Sequence, residues 1–162
     1  MTDKVEFCNL IREHEKSMYH LAFSIVGNDT DAGEVLSESI FRAYKNLNSL
    51  KNRDAFKSWI LRIVHNTAVE LIRKNTRIVP VEETPEIALE GCENHVITKM
   101  VLREAINNLK QPYRTAIILY YYDGISIPEI AKITDYSVAA VKQHLSRGRK
   151  ILREALKEDF KA

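Results

Sequence analysis

Apolar residues recur along this chain at spacings of three and four, the period of one face of an α-helix. From Val5 to Val26 the stripe is Phe7, Leu10, Ile11, Met18, Leu21, Ala22 and Ile25. Gly27-Asn28 interrupts it, and a second helix is predicted from Asp29 to Leu47. Acids crowd its first turns, where the helix dipole favours them. Asn48 to Arg53 is polar and reads as a loop. Asp54 is the expected cap of a third helix to about Lys74, whose apolar face is Phe56, Trp59, Ile60, Ile63, Val64, Ala68, Leu71 and Ile72. These three helices can bury a shared core.

The pattern then lapses. Between Asn75 and Asn94 stand Pro80, Pro85, Gly91 and five acids, with little periodicity. Periodicity returns in segments predicted as helices at about Val96–Leu109 and Tyr113–Tyr122, separated at Pro112, which disfavours helix at Gln111. The expected architecture is all-α: two small helical domains, 1–75 and 96–162, joined by a flexible linker at 76–95.

The last stretch, ISIPEIAKITDYSVAAVKQHLSRGRKILR from Ile125 to Arg153, has the form of a helix-turn-helix. Ser126 with Glu129 three residues on is a capping box, and Pro128 is tolerated in the first turn. Ile127, Ile130, Ala131 and Ile133 form a short apolar stripe. Thr134, Asp135 and Tyr136 form the turn, and Ser137 is a candidate N-cap for the next helix. That helix sets Val138, Val141, Leu145, Leu152 and Leu156 near one face. From Lys142 to Arg153 it carries five Lys or Arg and no acid. A solvated basic helix would look the same in isolation, but a capped brace and a tight turn precede this one, which favours DNA contact.

Composition is globular, with 45% hydrophobic and 28% charged residues. The net charge of +2 hides an asymmetry: residues 99–162 carry 12 basic against seven acidic groups, while residues 76–98 carry one against five. The nucleic-acid signal therefore belongs to the C-terminal part. Two cysteines, Cys8 and Cys92, make no metal pattern; a disulfide between them is open on arithmetic alone. The N-terminus lacks the apolar core of a signal peptide and no run is long enough to span a membrane, so a cytoplasmic protein is expected. The five histidines show no ligand spacing, and no nucleophile–base pair or phosphate loop is present. The expectation is a non-enzyme without cofactor, metal or small-molecule substrate.

Three blocks carry a family resemblance: DAGEVLSESIFRAYKNL (Asp31–Leu47), FKSWILRIVHNTAVELIRK (Phe56–Lys74), and the stretch from Leu109 to Arg153. In this order they resemble bacterial RNA polymerase sigma factors of the sigma-70 family, extracytoplasmic-function group. The resemblance implies a protein that binds core RNA polymerase and directs it to promoter DNA. The N-terminal domain would engage the polymerase clamp and melt the −10 element, and the C-terminal domain would read the −35 element. An inhibitory anti-sigma factor, often membrane-bound in this family, is the further partner implied.

Asp31, Glu34 and Glu38 share one helix face, with Ser37 beside them. Ordinary dipole compensation plus a Glu38–Arg42 pair would account for them; the resemblance makes them the polymerase-binding face. Gly33 and Ser37 depart from common family choices. The loop with Leu50, Lys51, Asn52 and Arg53 reads as a plain connector, or, by resemblance, as the loop that captures a flipped −10 base, with Asn46 and Asn66 completing the pocket and Arg62 holding a nearby phosphate. Trp59 fits core better than base stacking, and Tyr120-Tyr121-Tyr122 is expected to be mostly packing. In the recognition helix the resemblance points to Lys142, Gln143, Ser146 and Arg147 as readers, with His144 and Arg149 near phosphates. Gly148 either loosens this helix or permits a close backbone approach.

A conventional DNA-binding regulator could use the same helix-turn-helix but gives the Asp31–Asn66 blocks no purpose. A helical adaptor that binds only protein leaves the cationic stripe unexplained.

Overall fold

The computed structural model describes residues 4–75 and 96–160, with side chains placed for 4–75 and 100–157. The predicted linker at 76–95 lies outside the described residues, as does any pairing of Cys92; Cys8 is a free, exposed thiol. Seven α-helices are seen among the described residues: α1 (Lys4–Val26), α2 (Asp29–Lys45), α3 (Phe56–Asn75), α4 (Val96–Asn107), α5 (Tyr113–Ile117), α6 (Ile127–Thr134) and α7 (Val138–Phe160). Helices α1, α2 and α3 pack on one another, and α7 gathers α4, α5 and α6.

Local chemistry sets the boundaries. Gly27 takes φ 84°, and its N–H donates to Phe23 O at 2.9 Å, ending α1. That left-handed backbone suits glycine because no Cβ opposes it. Asn28 then caps α2, its side chain accepting from the Asp31 N–H at 2.8 Å. The cap before α3 is Asn52 rather than Asp54: Asn52 Oδ1 accepts from the Ala55 N–H at 3.0 Å, and a 3₁₀ turn at Arg53–Ala55 leads into the helix. The extra turn moves the cap two residues upstream. Ser126 and Ser137 cap α6 and α7 as expected, accepting from the N–H groups of Glu129 and Ala140.

Burial follows the predicted stripes with two corrections. Phe7, Leu10, Met18, Leu21, Phe56, Ile60 and Val64 are buried in the first group, and Ile130, Ile133, Val141 and Leu145 in the second. Val138, however, is exposed at the open end of α7. The tyrosine run is also more exposed than packing would make it, at 36, 54 and 42% for Tyr120, Tyr121 and Tyr122. Ile118–Tyr122 is a π-helical turn in which the Asp123 N–H donates to Ile118 O at 3.3 Å. With the turn widened, Ile118 and Leu119 take the interior and the tyrosines line the outer surface.

The halves do not stand apart. Helix α3 packs on α6, α1 meets α5 and the π turn, and the buried apolar side chains of both groups form one cluster.

Gly148 marks where α7 crosses α5. A Cβ there would meet Ile117 Cγ1 at 2.9 Å and Cδ1 at 3.2 Å, so what comes close to this glycine is a side chain of α5 rather than a backbone. Gly148→Ala would gain about 1 kcal/mol of helix propensity and lose about 1–3 kcal/mol to overpacking. Urea denaturation is expected to show a net loss of up to about 2 kcal/mol; a gain would mean that Ile117 yields freely.

Candidate polymerase and promoter interface

The exposed face of α7 is set by its buried one. Val141, Leu145 and Gly148 turn inward, which leaves Lys142, Gln143, Ser146, Arg147 and Arg149 exposed. Arg149 Nη1 donates to Tyr121 Oη at 3.1 Å, so the tyrosine surface helps to aim this cation. Helix α6 braces the assembly through the Asp135 turn, where φ is 63°, a left-handed conformation that Asp tolerates.

His144 stands apart from these five. It is half-buried, with its ring edge-on to Tyr136 at 4.7 Å and to Tyr113 at 6.1 Å. Burial, then the Arg147 charge, holds its pKa below the ordinary value. Both favour the neutral ring.

The loop after α2 is built rather than slack. Trp59 Nε1 donates to Ser49 Oγ at 3.1 Å, and Ser49 Oγ donates to Asn46 O at 2.7 Å. Trp59 thus joins the core with its face, packed 5.7 Å from the Phe56 ring, and braces the loop with its edge. Arg53 pairs with Glu6 at 3.3 Å. Beside the loop lies a hollow of about 530 Å³ whose walls include Lys4, Lys45, Leu50, Lys51, Asn52 and Arg53. Four of these are cationic, a charge suited to a nucleotide's phosphate, and Glu6, the partner of Arg53, also lines the hollow.

Asn46 and Asn66 do not line this hollow. Asn46 sits at the C-terminus of α2, and its Nδ2 donates to Arg42 O at 3.0 Å, a carbonyl that also accepts from the Asn46 backbone N–H at 3.1 Å. Asn66 is exposed on α3, its Oδ1 3.4 Å from His65 Nδ1. Of the three side chains expected to form a base pocket, only Leu50 is on its wall. Arg62 is exposed one turn before Asn66 and donates through Nη1 to Lys132 O, 2.5 Å away across the two halves.

On α2, Glu34, Ser37 and Glu38 are exposed, and Asp31 is half-buried and accepts from Asn28 Nδ2 at 2.9 Å. The i,i+4 pair is present, Arg42 Nε to Glu38 at 3.0 Å. Sequence reading missed its extension: Arg42 Nη2 also reaches Glu70 of α3 at 2.8 Å, and Nη1 reaches Thr67 Oγ1 at 3.4 Å. The acids therefore flank a groove of about 520 Å³ between α2 and α3, lined by Glu34, Ser37, Glu38, Arg42, Glu70 and Lys74 among others. Phe41 was also missed. It lies on the stripe of Glu34 and Glu38, is 55% exposed, and has Lys45 Nζ 4.8 Å from its ring centre. An exposed aromatic within a charged stripe is the signal that would have found it.

Comparison with known proteins accords with this layout. The model for Sigma-70 region 2 matches residues 10–78, and that for Sigma-70, region 4 matches residues 99–152. The RNA polymerase sigma factor SigV of Bacillus subtilis (strain 168) is 36% identical, over 98% of this chain and 96% of its own. The ECF RNA polymerase sigma factor SigW of the same organism is 28% identical, over 96% of this chain and 91% of its own. Two solved structures share the fold. The sigma factor RpoE in complex with the anti-sigma factor NepR, from Bartonella quintana, has a TM-score of 0.80 at 23% identity and covers 94% of this chain and 97% of its own. CnrH in complex with the cytosolic domain of CnrY has a TM-score of 0.70 at 22% identity and covers 97% and 91%. With both regions matched in order and a full-length relative above one-third identity, this chain belongs to the extracytoplasmic-function group of sigma-70 RNA polymerase sigma factors, which initiate transcription and are not enzymes.

Proposed function

We propose that the two halves of this sigma factor divide one task. Residues 1–75 form the unit that docks on core polymerase and opens the −10 element; residues 96–162 form the unit that reads the −35 element. The observation that carries this reading is the pairing of opposite surfaces on one chain: an exposed cationic face on α7 and an acid-lined groove between α2 and α3.

On α7, Lys142, Gln143, Ser146 and Arg147 face base edges and backbone, with Arg149 on a phosphate. In the N-terminal unit the cation-walled hollow beside Leu50–Arg53 takes the extruded −10 nucleotide, and Arg62 and Asn66 track the strand along α3. Extrusion costs only a few kcal/mol, so contacts of this kind suffice without fuel. Asp31, Glu34, Ser37 and Glu38 meet basic clamp helices of the polymerase, and Phe41 supplies the apolar centre of that contact. Attachment to polymerase raises the effective concentration of each DNA-binding face at the promoter, so neither needs high affinity alone.

A regulating partner also fits. One structural relative is bound to an anti-sigma factor and the other to the cytosolic domain of its partner. We infer that an anti-sigma factor with a membrane anchor holds this chain in the cytoplasm. No helix among the described residues is long and apolar enough to cross a membrane, so the anchor would belong to the partner.

The direct test adds purified protein to core polymerase and a promoter library and maps transcript starts. Promoter-specific starts are expected. Arg147→Ala should cost about 1–3 kcal/mol of upstream DNA binding and relax selection at one −35 position. Unchanged selection would remove Arg147 from the reading face.

A further inference from the structure

Three exposed tyrosines, Tyr120, Tyr121 and Tyr122, stand on the outer surface of the C-terminal half. Their base is rigid. Ile118 and Leu119 hold the π turn to the interior, and two backbone bonds close it: the Asp123 N–H donates to Ile118 O at 3.3 Å and the Ile125 N–H to Leu119 O at 3.0 Å. From this base the rings meet different neighbours. Tyr122 turns toward α1, its ring 6.4 Å from that of His20. Tyr120 stands edge-on to Tyr121, with ring centres 4.9 Å apart and planes at 82°. Tyr121 reaches α7, where its hydroxyl accepts from Arg149 Nη1 at 3.1 Å, across 28 positions of sequence.

That partner suits a cation that has to meet DNA. A carboxylate would neutralise the guanidinium and compete with phosphate for it; a hydroxyl holds it and leaves its charge in place. Among the described residues Arg149 forms no ion pair. A guanidinium has five N–H donors, and the bond to Tyr121 uses one, leaving the others for a phosphate. An arginine side chain is long and loses rotamer freedom when it meets a ligand; one held beforehand loses less. Phosphate contacts fix the register and orientation of a protein on the duplex without reading sequence themselves. A tyrosine anchored outside α7 therefore couples the backbone contact of the recognition helix to the scaffold beside it.

We propose that Tyr121 is a positioning residue for −35 binding: its hydroxyl holds the Arg149 guanidinium in the orientation that meets a DNA phosphate, with Tyr120 steadying its ring. The proposal rests on the assignment of Arg149 to a phosphate. A tyrosine kept for packing needs its ring and not its hydroxyl, and Tyr121→Phe separates the two.

The probe is a fluorescent duplex carrying the −35 element of a promoter recovered in the library test. Holoenzyme formed with core polymerase is titrated against it at several salt concentrations. Arg149→Ala is expected to flatten the slope of log affinity against log salt by about 1, the signature of one lost phosphate contact. Tyr121→Phe is expected to weaken binding about five-fold, equally across −35 sequence variants, and to flatten the slope by part of that amount. The slope reports charge contacts in the bound state, so a smaller folded fraction does not move it. In the Arg149→Ala background, Tyr121→Phe should change nothing further. Tyr121→Phe with wild-type affinity and slope would overturn the proposal. So would a loss of the same size after Arg149→Ala, which would make the hydroxyl a contact in its own right. If Arg149→Ala leaves the slope unchanged, the failure lies one step earlier, in the placing of Arg149 on a phosphate, and the positioning role falls with it. A holoenzyme that recovers no promoter from the library refutes the reading of α7 as a whole.

Discussion

Reversing two charges, Glu34→Lys with Glu38→Lys, is expected to weaken binding to core RNA polymerase by at least about 30-fold, roughly 2 kcal/mol. In the free chain both side chains are exposed, and the Glu38–Arg42 pair is a surface pair worth about 0–1 kcal/mol. Stability should therefore barely change, and Arg42 keeps its second partner, Glu70, at 2.8 Å. Against a basic partner the same groups lose water on docking, and like charges facing each other there cost several kcal/mol. Titration of fluorescent sigma factor with core polymerase reads the affinity, and thermal unfolding reads the fold. Phe41→Ala, on the same stripe, should lose about ten-fold, roughly 1.4 kcal/mol, by removing an apolar anchor. If the double reversal leaves affinity unchanged, the α2–α3 groove is not the docking face.

The largest stability effect is expected at Phe56. Its side chain is 0% exposed at the start of α3, with its ring 6.3 Å from Phe7, 5.7 Å from His14 and 5.7 Å from Trp59. Phe56→Ala removes the ring that joins α1 to α3 and leaves a cavity, a change that costs about 3–5 kcal/mol. Whole domains are stable by only about 5–15 kcal/mol, so this is a large share. Trp59 rests on Phe56 and braces the loop through Ser49, so loop geometry should suffer as well. Urea denaturation followed by Trp59 fluorescence should show a lower midpoint, and start-site opening should fail at temperatures where upstream binding persists. A cost below about 1.5 kcal/mol would mean that the site collapses around the smaller side chain.

Features that depend on residues three or four apart were legible in the chain itself. The caps at Ser126 and Ser137, the break at Gly27, the apolar stripes and the cationic face of α7 belong to this class. Each is a contact within one turn of helix, and the spacing of residue types encodes it. The helix-turn-helix was readable because its turn chemistry and its charge stripe lie within one short stretch. The Glu38–Arg42 pair was readable for the same reason.

What remained hidden involves residues tens of positions apart, or competition for one polar group. Nothing local announces that Arg42 will reach Glu70, that Trp59 will hold Ser49, or that His144 will sit between two tyrosines. Asn46 carries the amide expected of a base pocket, and at the end of α2 that amide donates to the Arg42 carbonyl. The tyrosine run was expected to be mostly packing, and the π turn leaves it on the outer surface. By itself the sequence determined the helices, most of their caps, the two oppositely charged surfaces and the family. Only the tertiary structure decided that Arg62 meets the end of α6 and that the two halves share one apolar cluster. The physical reason is that helix formation is set by neighbours within a turn, whereas the partner of an exposed cation is set by how whole helices pack.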